Sequence, residues 1–362
     1  MERFADELEP SLASSNLIKT RSFALHESPL AARLGLRTID SYLCRFVRYP
    51  ISARFLRTDV YHIVDHGYGH VAALLPPART VVTCHDLMLL RAVEGEAGFA
   101  PPSRSVVRFR WSVSFLRRVA HVVCDSEATR ADVIRLIGVE PTRTSVIPLG
   151  VEEGFRRLDP AHRSRVAEEV RGSADHVALH VSTGSPYKNV PGTLRVLAEV
   201  KRAGFRIALA RVGVPLSADE ARLARELGVE RDVIELGRVS DDRLIELYNA
   251  ADLLLFPSHL EGYGLPMLEA MACGTPVVAS TAPSLVEIAG DAALVASPTD
   301  VESLATAVMS ILSSSPLAED LSMRGLARAA RFTWRRTADE YASVYSRVFE
   351  DSLRDPRAAV TG

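Results

Sequence analysis

Residues 251–280, ADLLLFPSHLEGYGLPMLEAMACGTPVVAS, constrain this chain more than any other stretch. Asp252 to Phe256 is an apolar run of strand length. Pro257 and Ser258 end it. Pro266 stands where a helix can begin, because its fixed φ suits the first turn and its missing N–H is not needed there. Gly274 and Pro276 close that helix, and Val277 to Ala279 opens the next strand. The order is strand, turn, short helix, turn, strand, the unit of a parallel α/β sheet.

Two carboxylates frame the turn. Glu261 precedes the helix and Glu269 falls near its first turn. Between them, Gly262 and Gly264 let backbone approach a ligand closely. The free N–H groups of the helix start offer an anion seat. Carboxylates do not bind phosphate; they bind hydroxyls, as the acidic residue of a dinucleotide fold binds a ribose diol. Phosphate flanked by polyol describes a sugar nucleotide. The plainer reading is two surface acids near a helix start, where the dipole favours Glu.

The same alternation runs along the chain. In the first part, strands are expected at 17–25, 61–64, 80–84, 122–124 and 146–149. Helices are expected at 2–13, interrupted or ended near Pro10, at 103–118, and from Ser126 to near Ile137. Asp65 to His70 reads as a polar turn. Residues 151–172 have little strand character and contain Gly154 and Pro160, so they read as a linker. Alternation restarts with strands at 177–182, 206–212, 233–236 and 293–295 around the central stretch. Helices are expected at 190–203, 217–227, 241–250, 286–289, 300–313, 316–331 and from Trp334 to Phe349. With 362 residues the chain is long enough for two domains, here 1–150 and 173–333, with the helix near 334–350 able to return to the first. A cleft between two such halves is the usual place for a ligand.

The net charge of −2 carries no nucleic-acid footprint, and no apolar run reaches 18 residues. No signal-peptide pattern opens the chain, so a cytoplasmic protein is expected. Cys44, Cys84, Cys124 and Cys273 lie far apart without metal-ligand spacing and read as reduced core residues. There is no GxGxxG and no Asp-x-Asp, which removes support for an NAD dehydrogenase and for a metal-dependent transferase of the other common fold. No cofactor and no metal is expected. The segment 42–57, YLCRFVRYPISARFLR, is basic and apolar, and reads either as a solvated helix pair or as peripheral contact with an anionic membrane surface.

EGYGLPMLEAMACGTPVVAS resembles the signature of the family 4 retaining glycosyltransferases, whose two Glu are separated by seven residues. The resemblance extends over most of the chain. It implies the glycosyltransferase B fold, an α/β architecture of two Rossmann-like domains facing across a cleft. The second domain would hold a nucleotide sugar, GDP-mannose or a UDP-sugar, and the first would receive a glycan or lipid-linked acceptor. The implied setting is bacterial polysaccharide or glycolipid assembly, in the cytoplasm or at the inner face of the membrane.

The resemblance also assigns residues. STGSPYKN is similar to the loop whose Lys, here Lys188, binds the donor pyrophosphate; many members carry an Arg earlier in that loop, where the matching region here reads Ser182-Thr183-Gly184, so that hydroxyls such as that of Thr183, backbone amides or a different residue would serve instead. Only three of the 43 basic residues are Lys, which makes one in a strand-to-helix loop notable. Glu261 would grip the donor sugar and Glu269 the ribose, with Gly262, Tyr263, Gly264 and Leu265 around the diphosphate. Glu287 resembles a position near the nucleotide, or is a solvated helix acid. Gly237 and Arg238 resemble the loop at the base. His85, after the strand TVVTC, resembles the acceptor-domain His near the transferred sugar; as a bare residue beside a buried strand it is more often a structural His. Asp86 would hold its ring or cap the next helix, and His66 and His70 read as turn residues. No protein nucleophile is assigned. Domain closure would exclude water.

Met1 to Phe4 already resembles the family's first helix, with the preceding strand and Gly-rich loop missing. The expectation is a natural start upstream of Met1, or weak activity if Met1 is the start. The alternatives are a catalytically degenerate nucleotide-sugar binder and a sugar-nucleotide epimerase on the same fold. A pyridoxal-phosphate phosphorylase would need a Schiff-base Lys, and Lys188 is already claimed.

Overall fold

A computed structural model describes residues 2–13, 18–24, 37–95 and 101–354. The chain divides into two compact units: residues up to Val93, 101–150 and those from Trp334 onward form unit 1, and residues 151–333 lie in unit 2.

Unit 1 is built on four parallel strands in the order β1 (Tyr61–Ile63), β2 (Thr80–Cys84), β3 (His121–Cys124) and β4 (Thr144–Val146). β2 and β3 are buried on both faces and read as continuous apolar runs, the pattern of a covered parallel sheet. Their register pairs Cys84 with Cys124, so the residues that follow, His85 and Asp125, leave the sheet side by side. Helix Trp334–Arg354 is amphipathic, burying Thr337, Ala338, Tyr341, Val344, Val348 and Ser352 at helical spacing. Its Trp334 and Tyr341 enclose Phe4 of helix Glu2–Ala13, with ring centroids 5.9 and 5.8 Å away. Such aromatic pairs add about 0.5–1.5 kcal/mol each beyond the area they bury.

Unit 2 carries a six-stranded parallel sheet: β5 (His176–Ser182), β6 (Ile207–Gly213), β7 (Val233–Gly237), β8 (Leu253–Phe256), β9 (Val277–Ser280) and β10 (Leu294–Ala296). The order is β10-β9-β8-β5-β6-β7. From β5 the chain builds outward one way to β7, then crosses back to β8 and builds the other way. The reversal lies between β5 and β8, and in such sheets the crevice at the strands' carboxyl ends there receives ligands. Leu253 of β8 is fully buried against Leu194 and Leu304 of the covering helices Val190–Arg202 and Val301–Ser313 in one core. Each contributes roughly 1.5–3 kcal/mol relative to an exposed side chain.

Several local expectations need correction. Residues 18–24 form no strand. Pro10 lies inside helix Glu2–Ala13, which continues through it to Ala13. The turn after β1 is a 3-10 helix, His66–Leu74, begun by the Asp65 carboxylate accepting from Gly67 N. β4 starts and ends earlier than 146–149. The segment 151–172 is not a bare linker, since Pro160–Arg171 is a helix. Pro160 opens that helix rather than breaking one, with Asp159 as the cap accepting from His162 N. The segment 42–57 is helical through Arg54, with Cys44–Arg48 in wider π-type turns.

Candidate active site

At the reversal point of unit 2, β5 delivers one loop and β8 the other. β5 ends at Ser182, whose Oγ accepts from Gly184 N at 3.1 Å. Thr183 is exposed, its Oγ1 3.2 Å from Ser185 Oγ. Pro186–Lys188 forms a 3-10 turn, and Asn189 then takes the left-handed conformation, φ +56°. Asn189 Oδ1 accepts from Gly192 N at 3.0 Å and caps the next helix, while Nδ2 donates to the carbonyls of Pro257 and Pro298. A further bond runs from His259 N to Tyr187 O, 2.7 Å. The two loops are therefore tied to each other by backbone and by one amide side chain. Nothing local marks Asn189's part beyond an Asn at a helix start.

This tie brings Lys188 and Glu261 together. Lys188 Nζ donates to Glu261 Oε1 at 2.7 Å, with the two side chains only 10% and 8% exposed. The ammonium also lies 4.9 Å from the centre of the Phe256 ring, a favourable place for a cation. Glu261's own carbonyl accepts from Ser284 Oγ. The glycine turn follows, with Gly262 half-buried and Tyr263 buried. Gly264 has φ +118°, and a Cβ there would stand 2.6 Å from Leu285 Cδ2, so no other residue fits without displacing that side chain. Helix Leu265–Ala272 starts from Gly264, with Leu265 half-buried at its first position. Glu269 is buried on this helix, where its Oε2 accepts from the hydroxyl of the buried Tyr248 at 2.9 Å. Tyr248 is a site neighbour that sequence reasoning missed. Glu287 is half-buried on helix Pro283–Ala289, and its carbonyl accepts from Arg328. Arg238 is exposed beyond β7.

Beneath this site His180 is wholly buried. Its Nδ1 donates to Leu255 O at 3.0 Å, while Nε2 has no partner. Burial, with further repulsion from Arg211 and Lys188, brings its pKa down to about 4.

In unit 1, His85 is held at both ring nitrogens. Nδ1 is 2.6 Å from Asp125 Oδ2 and Nε2 is 2.9 Å from Val64 O. Both partners are acceptors, so both nitrogens donate, which is the imidazolium arrangement. Burial pulls the pKa down, but the charge and hydrogen bond of Asp125 outweigh it, and it stands above the ordinary value. The ring also lies against Phe4, centroids 5.0 Å apart. Asp125, not Asp86, holds the ring; Asp86 accepts from Met88 N and caps the following helix. His66 and His70 are buried, and His70 is fixed by Ser112 and the Arg45 carbonyl. His62 bridges Thr83 Oγ1 and Tyr345 OH, each at 2.7 Å, and burial lowers its pKa to about 3. The four Cys are buried free thiols. Among the described residues no group of three or more His, Cys, Asp or Glu is placed to hold a metal.

Two Rossmann-like units, the second with a cation, a carboxylate and a glycine-opened helix at its reversal point, define the glycosyltransferase B fold. Sucrose-phosphate synthase from Thermosynechococcus elongatus superposes with a TM-score of 0.76 at 21% identity, covering 97% of this chain and 94% of that one. Anabaena Alr3699/HepE, solved in complex with UDP and glucose, gives 0.71 at 21% identity over 88% and 83%. The family described as Glycosyltransferase Family 4 matches residues 17–155, and that described as Glycosyl transferases group 1 matches residues 165–328. Escherichia coli O-antigen chain mannosyltransferase B is 30% identical over 270 residues, 74% of this chain and 70% of that protein. D-inositol 3-phosphate glycosyltransferase of Acidothermus cellulolyticus is 30% identical over 344 residues, 88% of this chain and 74% of that protein. The chain belongs to the group 1, family 4 glycosyltransferases.

Proposed function

We propose that this glycosyltransferase moves a hexose from a nucleoside diphosphate sugar to an acceptor hydroxyl with retained configuration and without a required metal. The observation that carries the reading is the Lys188–Glu261 pair at the reversal point of unit 2, beside the start of helix Leu265–Ala272. Lys188 and the amides near Gly264 and Leu265 stabilise the departing diphosphate, the electrostatic route to a lower barrier. Glu261 takes the sugar hydroxyls and Glu269 the ribose diol, with Tyr248 fixing its carboxylate. Thr183 supplies a hydroxyl where relatives of this type use a cation, and Glu287 lies toward the nucleotide. The leaving diphosphate takes the bonding electron pair from the anomeric carbon, the acceptor oxygen supplies the new pair from the same face, and its proton passes to the departing diphosphate oxygen.

His85 is the proposed contact of unit 1 with the transferred sugar. With both nitrogens occupied, it acts through its charge or by exchanging the Val64 carbonyl for a sugar hydroxyl. The mannosyltransferase relative supports a mannosyl donor, for which GDP-mannose is the candidate, and the HepE complex with UDP and glucose supports a UDP-sugar. An O-antigen relative supports a surface-polysaccharide acceptor. Exposed Ile39, Val47, Ile51 and Phe55 beside the arginines of 45–57 support peripheral contact with an anionic membrane. The test is turnover across UDP-, GDP- and ADP-sugars with a panel of acceptors, against a Glu269→Ala control. Turnover with one donor, abolished in the control, is expected. Turnover unaffected by Glu269→Ala would overturn the site.

A further inference from the structure

We propose that the Lys188–Glu261 ion pair lets the site distinguish an intact donor from the spent nucleoside diphosphate. This rests on the reading of unit 2 as the donor-binding unit. The two groups assigned above to donor binding neutralise each other at 2.7 Å, both about nine-tenths buried. Nζ donates to Glu261, and the ammonium also lies over the rings of Phe256 and Tyr187. The pair joins two loops that leave adjacent strands, so separating it breaks no element of either strand.

A diphosphate that takes Lys188 must displace Glu261. A bare nucleoside diphosphate offers Glu261 nothing in return, because phosphate oxygens are acceptors. The carboxylate is then left buried and unpaired, which is the costly half of breaking a buried pair. An intact donor carries sugar hydroxyls, which donate to Glu261 while the diphosphate takes Lys188. The exchange is thus balanced only when the sugar is attached. After transfer the hydroxyls depart with the acceptor, Glu261 recovers Lys188, and the diphosphate loses its cation. The exchange makes and breaks no covalent bond. Glu261 is in this way a specificity-determining residue acting between donor and product, besides its contact with the sugar.

The experiment measures dissociation constants on the full chain by calorimetry for UDP, GDP and ADP and for UDP-glucose, GDP-mannose and ADP-glucose. Wild type is expected to bind its donor at least roughly tenfold tighter than the matching diphosphate. Glu261→Gln, which frees Lys188, is expected to bind the bare diphosphate roughly tenfold tighter than wild type does. That gain is expected to vanish when Lys188→Met is added. Persistence of the gain in the double variant would reveal mere long-range repulsion and overturn the exchange. An unchanged diphosphate affinity in folded Glu261→Gln would overturn it as well. If Glu261→Gln does not fold, the wild-type comparison decides alone: a diphosphate that binds as tightly as its donor overturns the proposal. Failure of wild type to bind any of the six compounds overturns the donor-site reading itself.

Discussion

The two units hold their charged groups in opposite ways. In unit 1, His85 is fixed at both nitrogens by protein acceptors, Asp125 and Val64, and packed against Phe4. In unit 2, Lys188 and Glu261 are held chiefly by each other, across two loops. The first arrangement spends its hydrogen bonds on rigidity. The second keeps two opposite charges dry and exchangeable. A buried ion pair contributes little net stability because desolvation offsets the attraction, so the pair in unit 2 is better explained by what it can release than by what it holds.

The contrast can be broken most sharply at Lys188. Lys188→Ala is expected to lower kcat/KM by about 10²–10³-fold, as loss of one stabilising group for a leaving anion does. Alone it leaves Glu261 buried and unpaired, at a cost of about 3–5 kcal/mol. The thermal unfolding of the double variant, Lys188→Met with Glu261→Gln, should instead stay close to wild type; a large loss of stability there would mean the pair is structural after all.

Asp125→Asn tests the opposite claim for unit 1. Removing one partner of a buried pair is expected to destabilise by about 3–5 kcal/mol. Both tryptophans, Trp111 and Trp334, lie in unit 1, so their fluorescence follows that unit during unfolding. The pH dependence has a definite sign. His85 has a raised folded pKa, so its contribution is fully present below about pH 6.5, its unfolded value, and is lost as pH rises through the folded pKa. That loss should disappear in Asp125→Asn.

His180 gives unit 2 the reverse slope. Its folded pKa is lowered to about 4, so the unfolded state binds the proton first. Stability should fall as pH drops from about 6.5 to 4, by about 3 kcal/mol from this group. Circular dichroism of the transition that tryptophan does not report should show it, and His180→Gln should flatten the slope. The smallest effect belongs to Tyr345→Phe, which removes the hydroxyl on His62. About 1 kcal/mol is expected in tryptophan-monitored unfolding, with no change in donor affinity.

How much of this was readable in the chain depends on distance along it. The buried strands of unit 2 were legible because apolar runs of strand length stand between clear breakers, as at Leu253–Phe256. Helix Pro160–Arg171 was not, because only Val166, Ala167 and Val170 of its residues are buried and its opening proline resembles a breaker. Lys188, Glu261 and Glu269 were legible as residue types in a motif. Their partners were not. Asp125 reaches His85 through the β2–β3 register, and Lys188 reaches Glu261 through the adjacency of β5 and β8. Neither pairing is written in local sequence. Tyr248 carries no local sign at all, since its helix reads the same whether its hydroxyl meets a carboxylate or solvent.

The enclosure of Phe4 by Trp334 and Tyr341 sets an order of assembly. During synthesis the strands of unit 1 emerge first, yet the helix that completes their packing is made after the whole of 151–333. Unit 2 can therefore finish folding while the earlier half of the nascent chain still waits, with Phe4 and the β1–β2 surface uncovered. A stall before residue 334 would leave a finished unit 2 attached to an open unit 1, which is the state a chaperone or a protease would meet.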